Sequence, residues 1–305
     1  MHIPHIPVLR DEVVEIFSDC KDGYFIDCTV GYGGHSEALL KSNENIKIIG
    51  IDRDEEALEF SRKRLFEYKE RVRLVRGKFS QKIREYLHLP LCGILADIGV
   101  SSLQLDKIER GFSFESPVLD MRMDKSSELT AYDVLNFYER EKLEQIFKEY
   151  AEVPYYKKLA DIIIKTRSKK PIESAREFAQ IISRHFPKSG KIHPATLPFQ
   201  AVRIEVNDEL GELKRLLDAC EEARPAGAKL AIITFHSLED RMVKNRFKKW
   251  AKRCICPPES LRCECGKDNA LGEILTKKPI TATKEEIRAN PRSRSAKMRV
   301  FRFRV

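Results

Sequence analysis

Apolar residues in the first hundred positions gather into four short runs, at 24–28, 46–51, 72–75 and 93–98. They are continuous rather than alternating, which is how a strand covered on both faces reads. Between the second and third runs, 54–68 places Ala57, Leu58, Ser61 and Leu65 at helical spacing. This rhythm predicts an α/β fold with a parallel sheet and ligands at the carboxyl ends of its strands. From about Leu105 the pattern changes. Segment 131–150 carries Leu135, Leu143, Ile146, Phe147 and Tyr150 at helical spacing, and 156–169 puts Leu159, Ile162 and Ile163 on one face. Ser174-Ala175-Arg176-Glu177 is a capping box opening a further helix with Phe178, Ile181 and Ile182 inside. Strand signals then return. Pro225-Ala226-Gly227 is a turn, 229–235 a buried strand, and 273–276 and 298–304 two closing strands. The last has apolar residues at 298, 300, 301, 303 and 305, a slip in alternation that predicts a bulge. The expected organisation is a discontinuous sheet domain, 1–104 and 217–305, interrupted by an all-helical domain, 105–216.

The first run leads into Gly31-Tyr32-Gly33-Gly34-His35-Ser36, and the second ends on Asp52, about twenty residues beyond the glycines. Glycines let backbone approach a ligand, and an acid at that spacing accepts hydrogen bonds from ribose hydroxyls. A structural turn is the competing reading. A dinucleotide fingerprint starting at Gly31 needs a third glycine at position 36, where the chain has Ser36. An adenosyl ligand without pyrophosphate, such as S-adenosylmethionine, fits better, and Asp27 is placed to face its ammonium end. Phe79, after the third strand, falls where adenine would lie, or else it belongs to the core. Asp97 ends the fourth strand, where it could orient an amine and stabilise its developing charge, or serve only loop backbone or cofactor. His236 follows the 229–235 strand and is a second candidate facing substrate, against a structural histidine.

Charge sharpens the choice of partner. Lys and Arg total 56 against 47 Asp and Glu, a net charge of +9, which favours a polyanion such as nucleic acid. The cations concentrate in 241–253 and 288–304, and both clusters are expected to flank the active face and meet phosphates. The N-terminus lacks a basic region followed by an apolar run, and no stretch is long enough to span a bilayer, so a cytoplasmic protein with reduced thiols is expected. Cys20, Cys28, Cys92 and Cys220 are scattered and read as small core or boundary residues. Cys254, Cys256, Cys263 and Cys265 cluster, but one intervening residue per pair departs from the two usual in zinc hairpins. No metal site is assigned from the sequence.

Several segments together resemble one family. They include His5-Ile6-Pro7-Val8-Leu9, the glycine turn, Asp52-Arg53-Asp54, and the run Asp97-Ile98-Gly99-Val100-Ser101-Ser102-Leu103-Gln104-Leu105-Asp106. Arg110-Gly111-Phe112-Ser113-Phe114, Leu119-Asp120-Met121-Arg122-Met123, His193-Pro194-Ala195-Thr196 and Phe199-Gln200-Ala201-Val202-Arg203-Ile204 follow in order. Phe235-His236-Ser237-Leu238-Glu239-Asp240-Arg241 and Asn290-Pro291-Arg292-Ser293-Arg294-Ser295 complete the set. The sequence resembles the bacterial 16S ribosomal RNA (cytosine-N4)-methyltransferases, the RsmH/MraW family. The resemblance implies a class I methyltransferase fold with an inserted helical domain that recognises substrate. It also implies S-adenosylmethionine as cofactor and a decoding-region cytidine of 16S rRNA, in the small ribosomal subunit, as substrate. Cofactor contacts carry over onto Gly33, Gly34, His35, Asp52, Phe79, Asp97 and Gln104. Many amino-methyltransferases acting on bases have an acid or Asn followed by Pro-Pro-aromatic after the fourth strand. Here Asp97-Ile98-Gly99-Val100 stands instead, so their mechanism does not transfer unaltered. The alternatives are an NAD-dependent oxidoreductase and a non-catalytic RNA-binding protein on a Rossmann scaffold.

Overall fold

The computed structural model describes residues 7–186, 193–257, 259 and 262–305, with backbone alone at 102 and 103. His5 and Ile6 of the first shared motif lie outside the described residues. The chain divides into two compact units, Met1–Gly99 with Leu210–Val305, and Val100–Glu209.

The first unit is built on seven strands: β1 (Gly23–Asp27), β2 (Ile46–Asp52), β3 (Val72–Arg76), β4 (Leu91–Asp97), β5 (Lys229–Thr234), β6 (Gly272–Ile274) and β7 (Lys297–Phe303). Their order is β3-β2-β1-β4-β5-β7-β6. The first five are parallel, and β7 runs antiparallel to both β5 and β6. The chain winds outward from β1 in one direction and from β4 in the other. The crevice between their carboxyl ends is therefore the topological switch point, where open parallel sheets bind ligands. Side chains alternate between two buried layers. Ile26, Ile94 and Ile232 enter one apolar cluster, while Phe25, Leu95 and Ile233 enter the other. Burial on both faces explains why these strands lack polar alternation.

Three expectations need correction. The sheet unit resumes at Leu210, not 217, because Leu213, Leu216, Leu217 and Cys220 of the helix Glu209–Ala223 pack into the sheet's core. The first boundary likewise falls after Gly99 rather than after 104. No bulge interrupts β7, whose register with β5 is regular from Lys229↔Arg302 to Thr234↔Lys297. Its alternation slips because both faces are covered: Met298 and Val300 join one cluster, Phe301 and Phe303 the other. Finally, Cys20 and Cys92 are joined by a disulfide, with Cα atoms 5.5 Å apart, rather than being free core thiols. Tyr24 of β1 pairs with Leu91 and Phe25 with Gly93, so Cys92 sits at a register shift in β4, beside the chain that leads into β1.

The second unit packs helices around an apolar cluster containing Val134, Leu143, Phe147, Leu159, Phe178 and Val202. The segment read as one helix over 131–150 is two, Ala131–Phe137 and Arg140–Glu149. Tyr138 is extended (ψ 138°) at the break, and its hydroxyl donates to Glu205 Oε1 at 2.8 Å. The motif residues 110–123 act as internal clasps. Arg110 donates to the carbonyls of Arg122 and Met123. Gly111 sits at φ 82°, where a Cβ would lie 2.6 Å from the backbone nitrogen of Asp120, so only glycine closes this turn.

Candidate functional site at the carboxyl edge of the sheet

Three acids end adjacent strands: Asp27 on β1, Asp52 on β2 and Asp97 on β4. Their surroundings differ, and that decides what each can do. Asp27 is 1% exposed, and both its oxygens are engaged, one by Thr29 N at 3.2 Å and the other by Ser36 Oγ at 2.7 Å. Burial lifts its pKa, opposed by nearby His35 and by the Ser36 hydrogen bond. Asp27 therefore pins β1 to the helix Gly34–Ser42 instead of standing as a free carboxylate for an ammonium group. Ser36, which breaks the dinucleotide fingerprint, is the partner that makes this pin.

The glycine turn is tied to β2 through Asp52. Gly31 N donates to Asp52 Oδ2 at 2.9 Å and Asp54 N to Oδ1 at 2.9 Å. Gly33 has φ 74°, and a Cβ there would press on Leu65 at 3.2 Å and Ser61 Oγ at 3.3 Å. Gly34 opens the helix and carries His35 into the site. Each Asp52 oxygen keeps capacity for a further donor. Burial pushes the Asp52 carboxyl up to about 6, against the lowering effect of the Asp54 and Gly31 N–H groups. A ligand whose hydroxyls donate to Asp52 favours the ionised carboxylate. Its affinity is therefore expected to be nearly full at pH 7, halved near pH 6 and down about tenfold from its full value at pH 5. Calorimetric titration with S-adenosylmethionine between pH 5 and 8 checks this, and Asp52→Asn should flatten the profile.

Asp97 is positioned by its own backbone, whose N–H donates to Thr29 Oγ1 at 2.7 Å. Its Oδ2 lies 3.6 Å from His35 Nε2. Asp97 Oδ1 and both His35 ring nitrogens are buried without a hydrogen-bond partner among the described residues. An unsatisfied buried polar group costs about 1–3 kcal/mol. Three such atoms at a switch point fit a polar ligand, and they share the carboxyl edge of the sheet with Asp52, the acid suited to a ribose.

The remaining candidates are more dispersed. Phe79 opens the short helix Phe79–Lys82 after β3 and is buried in the core cluster with Ile26 and Ile51. Gln104 belongs to the helical unit, where its Oε1 accepts from Ser101 N at 3.1 Å. His236 caps the helix Ser237–Trp250 at the carboxyl end of β5, the strand next to β4. Sequence reasoning missed Glu239, which holds that corner. It is fully buried, its Oε2 accepts from the backbone N–H groups of Phe235 (2.9 Å) and His236 (3.3 Å), and its Oε1 lies 3.1 Å from His236 Nε2. An acid three residues into a helix was the available signal.

The two basic clusters do not share one face. The helix Ser237–Trp250 starts at the carboxyl edge and runs back along the sheet for about 21 Å. Its basic end lies toward the start of β5, where Lys244, Lys248 and Arg253 line a groove with Arg302. Part of its charge is spent internally, since Arg246 pairs with Asp218 and Glu221 and Lys249 with Glu221. The second cluster divides because β7 is antiparallel. The turn Pro291–Ser295 precedes Lys297, which pairs with Thr234 at the end of β5. Exposed Arg288 and Arg294 thus belong to the carboxyl edge, while Arg302 and Arg304 belong to the opposite one.

The sheet topology and the site at its switch point define an S-adenosylmethionine-dependent methyltransferase of class I fold. The profile of the family described as "MraW methylase family" matches residues 2–304. Ribosomal RNA small subunit methyltransferase H of a Sulfurovum species is 57% identical over 304 residues, covering 100% of this chain and 99% of that one. The protein of the same name from a Nitratiruptor species is 58% identical over 305 residues, covering both chains fully. A solved precorrin-6y C5,15-methyltransferase from Geobacter metallireducens aligns with 97% of this chain and 88% of its own, at 8% identity and TM-score 0.43. The chain belongs to the MraW methylase family. Membership leaves the oxidoreductase and the non-catalytic RNA-binding readings without support. Among the described residues, no helix is long and apolar enough to cross a membrane.

Proposed function

We propose that the protein methylates the exocyclic N4 amine of a cytidine in the decoding region of 16S rRNA, within the small ribosomal subunit in the cytoplasm. Relatives 57–58% identical over the whole chain carry the name ribosomal RNA small subunit methyltransferase H. The observation that carries the chemistry is Asp97, whose Oδ1 is buried and unpartnered at the end of β4. S-adenosylmethionine supplies an electrophilic methyl carbon on a sulfonium leaving group. Asp52 would accept from its ribose hydroxyls, and the turn at Gly33, Gly34 and His35 would bring backbone against it. Phe79 would limit the adenine side, the family resemblance adds Gln104 to the cofactor contacts, and the helical unit would recognise the RNA. Asp97 accepts a hydrogen bond from the cytosine amine and aims its lone pair along the line of transfer. With the methyl group supplied by that cofactor, the Asp97 carboxylate would stabilise the positive charge that develops on the amine nitrogen. The surplus proton then leaves to solvent or to His236, held at the neighbouring strand end by Glu239. Mass spectrometry of small-subunit RNA from a strain lacking the gene, with and without its restoration, tests the assignment. N4-methylation of a decoding-region cytidine should disappear and return with the gene.

RNA binding should depend chiefly on cations at the carboxyl edge. Arg288→Glu with Arg294→Glu is expected to weaken RNA about tenfold and reduce the salt dependence, with cofactor affinity unchanged. Lys244→Glu with Lys248→Glu, at the far end, should do much less. Filter binding over a salt series checks both, and equal losses would return the far groove to the RNA interface.

A further inference from the structure

The four clustered cysteines lie outside the site described above. The loop that carries them leaves the helix Ser237–Trp250 and returns to β6. Its stem is closed by protein alone. Leu271 N donates to the carbonyl of Trp250 at 2.8 Å, and Asn269 N to that of Arg253 at 3.1 Å. The Asn269 side-chain amide reaches the carbonyls of Arg253 (3.2 Å) and Cys265 (3.0 Å). Beyond this stem the cysteines are half-buried or exposed, so among the described residues they are not held in an apolar core.

The sulfurs nonetheless converge. Cys254 and Cys263 Sγ lie 3.6 Å apart, Cys263 and Cys265 3.6 Å, and Cys265 and Cys254 3.7 Å. Cys256 completes the set, all four ligand atoms being within 4.8 Å of one another. These separations exceed the roughly 2.05 Å of a disulfide. A tetrahedron with metal–sulfur bonds of about 2.3 Å has edges of about 3.8 Å. Backbone donors surround the sulfurs, with Ile255 N 3.4 Å from Cys265 Sγ and Glu264 N 3.4 Å from Cys256 Sγ. Residues just past Cys265 turn through Gly266 (φ 72°) and Lys267 (φ 56°), and Lys267 N–H also donates to Cys265. N–H donors of this kind are the outer partners that orient and stabilise thiolate ligands. The single-residue spacing that counted against a metal is thus met by two short arms, each folding a pair of sulfurs onto the same point.

We propose that Cys254, Cys256, Cys263 and Cys265 form a structural site for one zinc ion. Zinc suits the set because it is redox-inert, accepts four thiolates and has no geometric preference against a tetrahedron. The complex carries two negative charges, next to the cations Lys252, Arg253 and Lys267. Its place, bordering the groove lined by Arg253 and Lys248, makes it a clasp that fixes this loop and leaves the methyl-transfer site untouched.

The test uses the full-length protein, purified under reducing conditions and assayed for metals by mass spectrometry. About one equivalent of zinc per chain is expected. A mercurial should release it in proportion to four thiols titrated, and cobalt substitution should give the absorption bands of a tetrahedral thiolate centre. Cys256→Ser with Cys263→Ser should lose the metal but keep the far-ultraviolet circular dichroism of the fold, because the stem does not depend on the sulfurs. Three results would overturn the proposal: less than about 0.1 equivalent of zinc in reduced protein that takes up no cobalt, iron in place of zinc, or disulfides linking these four cysteines in freshly isolated protein.

Discussion

Asp97→Asn is expected to slow single-turnover methyl transfer about a hundredfold or more at saturating S-adenosylmethionine. Asn keeps the shape and one acceptor but removes the charge that would stabilise the amine as it becomes positive. The local fold should survive, because Asp97 is anchored through its backbone N–H to Thr29 Oγ1 and not through its carboxylate. The carboxylate contributes little to stability in the free protein, where Oδ1 is buried without a partner and Oδ2 lies 3.6 Å from His35. Cofactor affinity should change far less than the rate. A variant that regains full rate at saturation would place Asp97 on the cofactor alone, leaving orientation of the amine to another group such as His236.

Asp52→Ala is expected to weaken S-adenosylmethionine by about 2 kcal/mol, roughly thirtyfold, the scale of a lost charge-assisted pair of hydrogen bonds. Part of this loss is indirect, since Asp52 also holds the turn through Gly31 N. Asp52→Asn separates the contributions: its amide oxygen can keep one backbone hydrogen bond, so the turn is better preserved while the charge is gone. Calorimetry on both folded variants checks the expectation. Unchanged affinity in Asp52→Ala would remove this residue from the cofactor site.

The strands were legible because their burial on both faces turns them into unbroken apolar runs. β1 to β5 fall within two residues of the predicted ends for the same reason. The positions of Asp52 and Asp97 were legible too, since both end parallel strands and so fall along one edge of the sheet. Readings that depend on chain direction or distant pairing fared worse. Position along the sequence could not reveal that β7 runs antiparallel, so 288–304 looked like one basic surface when its two halves face opposite edges. Cys20 and Cys92 are 72 residues apart, and only the adjacency of β1 and β4 joins them. Periodicity carried through 131–150 because residues on both sides of the Tyr138 break face the same core. Glu239 was passed over as one more acid at a helix start, although its burial is what fixes His236. The thiol cluster failed a spacing rule drawn from hairpins, because spacing alone does not show that two short arms can meet.

Delivery of a methyl group to an exocyclic base amine is the role proposed for the edge formed by Asp52, His35 and Asp97. It is tested most directly by one reaction. Purified protein is given methyl-labelled S-adenosylmethionine and small ribosomal subunits lacking the modification, and the RNA is digested to nucleosides. Label is expected in N4-methylcytidine with the wild-type chain, formed about a hundredfold or more slowly with Asp97→Asn. Label on a ring carbon or a ribose oxygen, or an equal rate from the Asn variant, would contradict it.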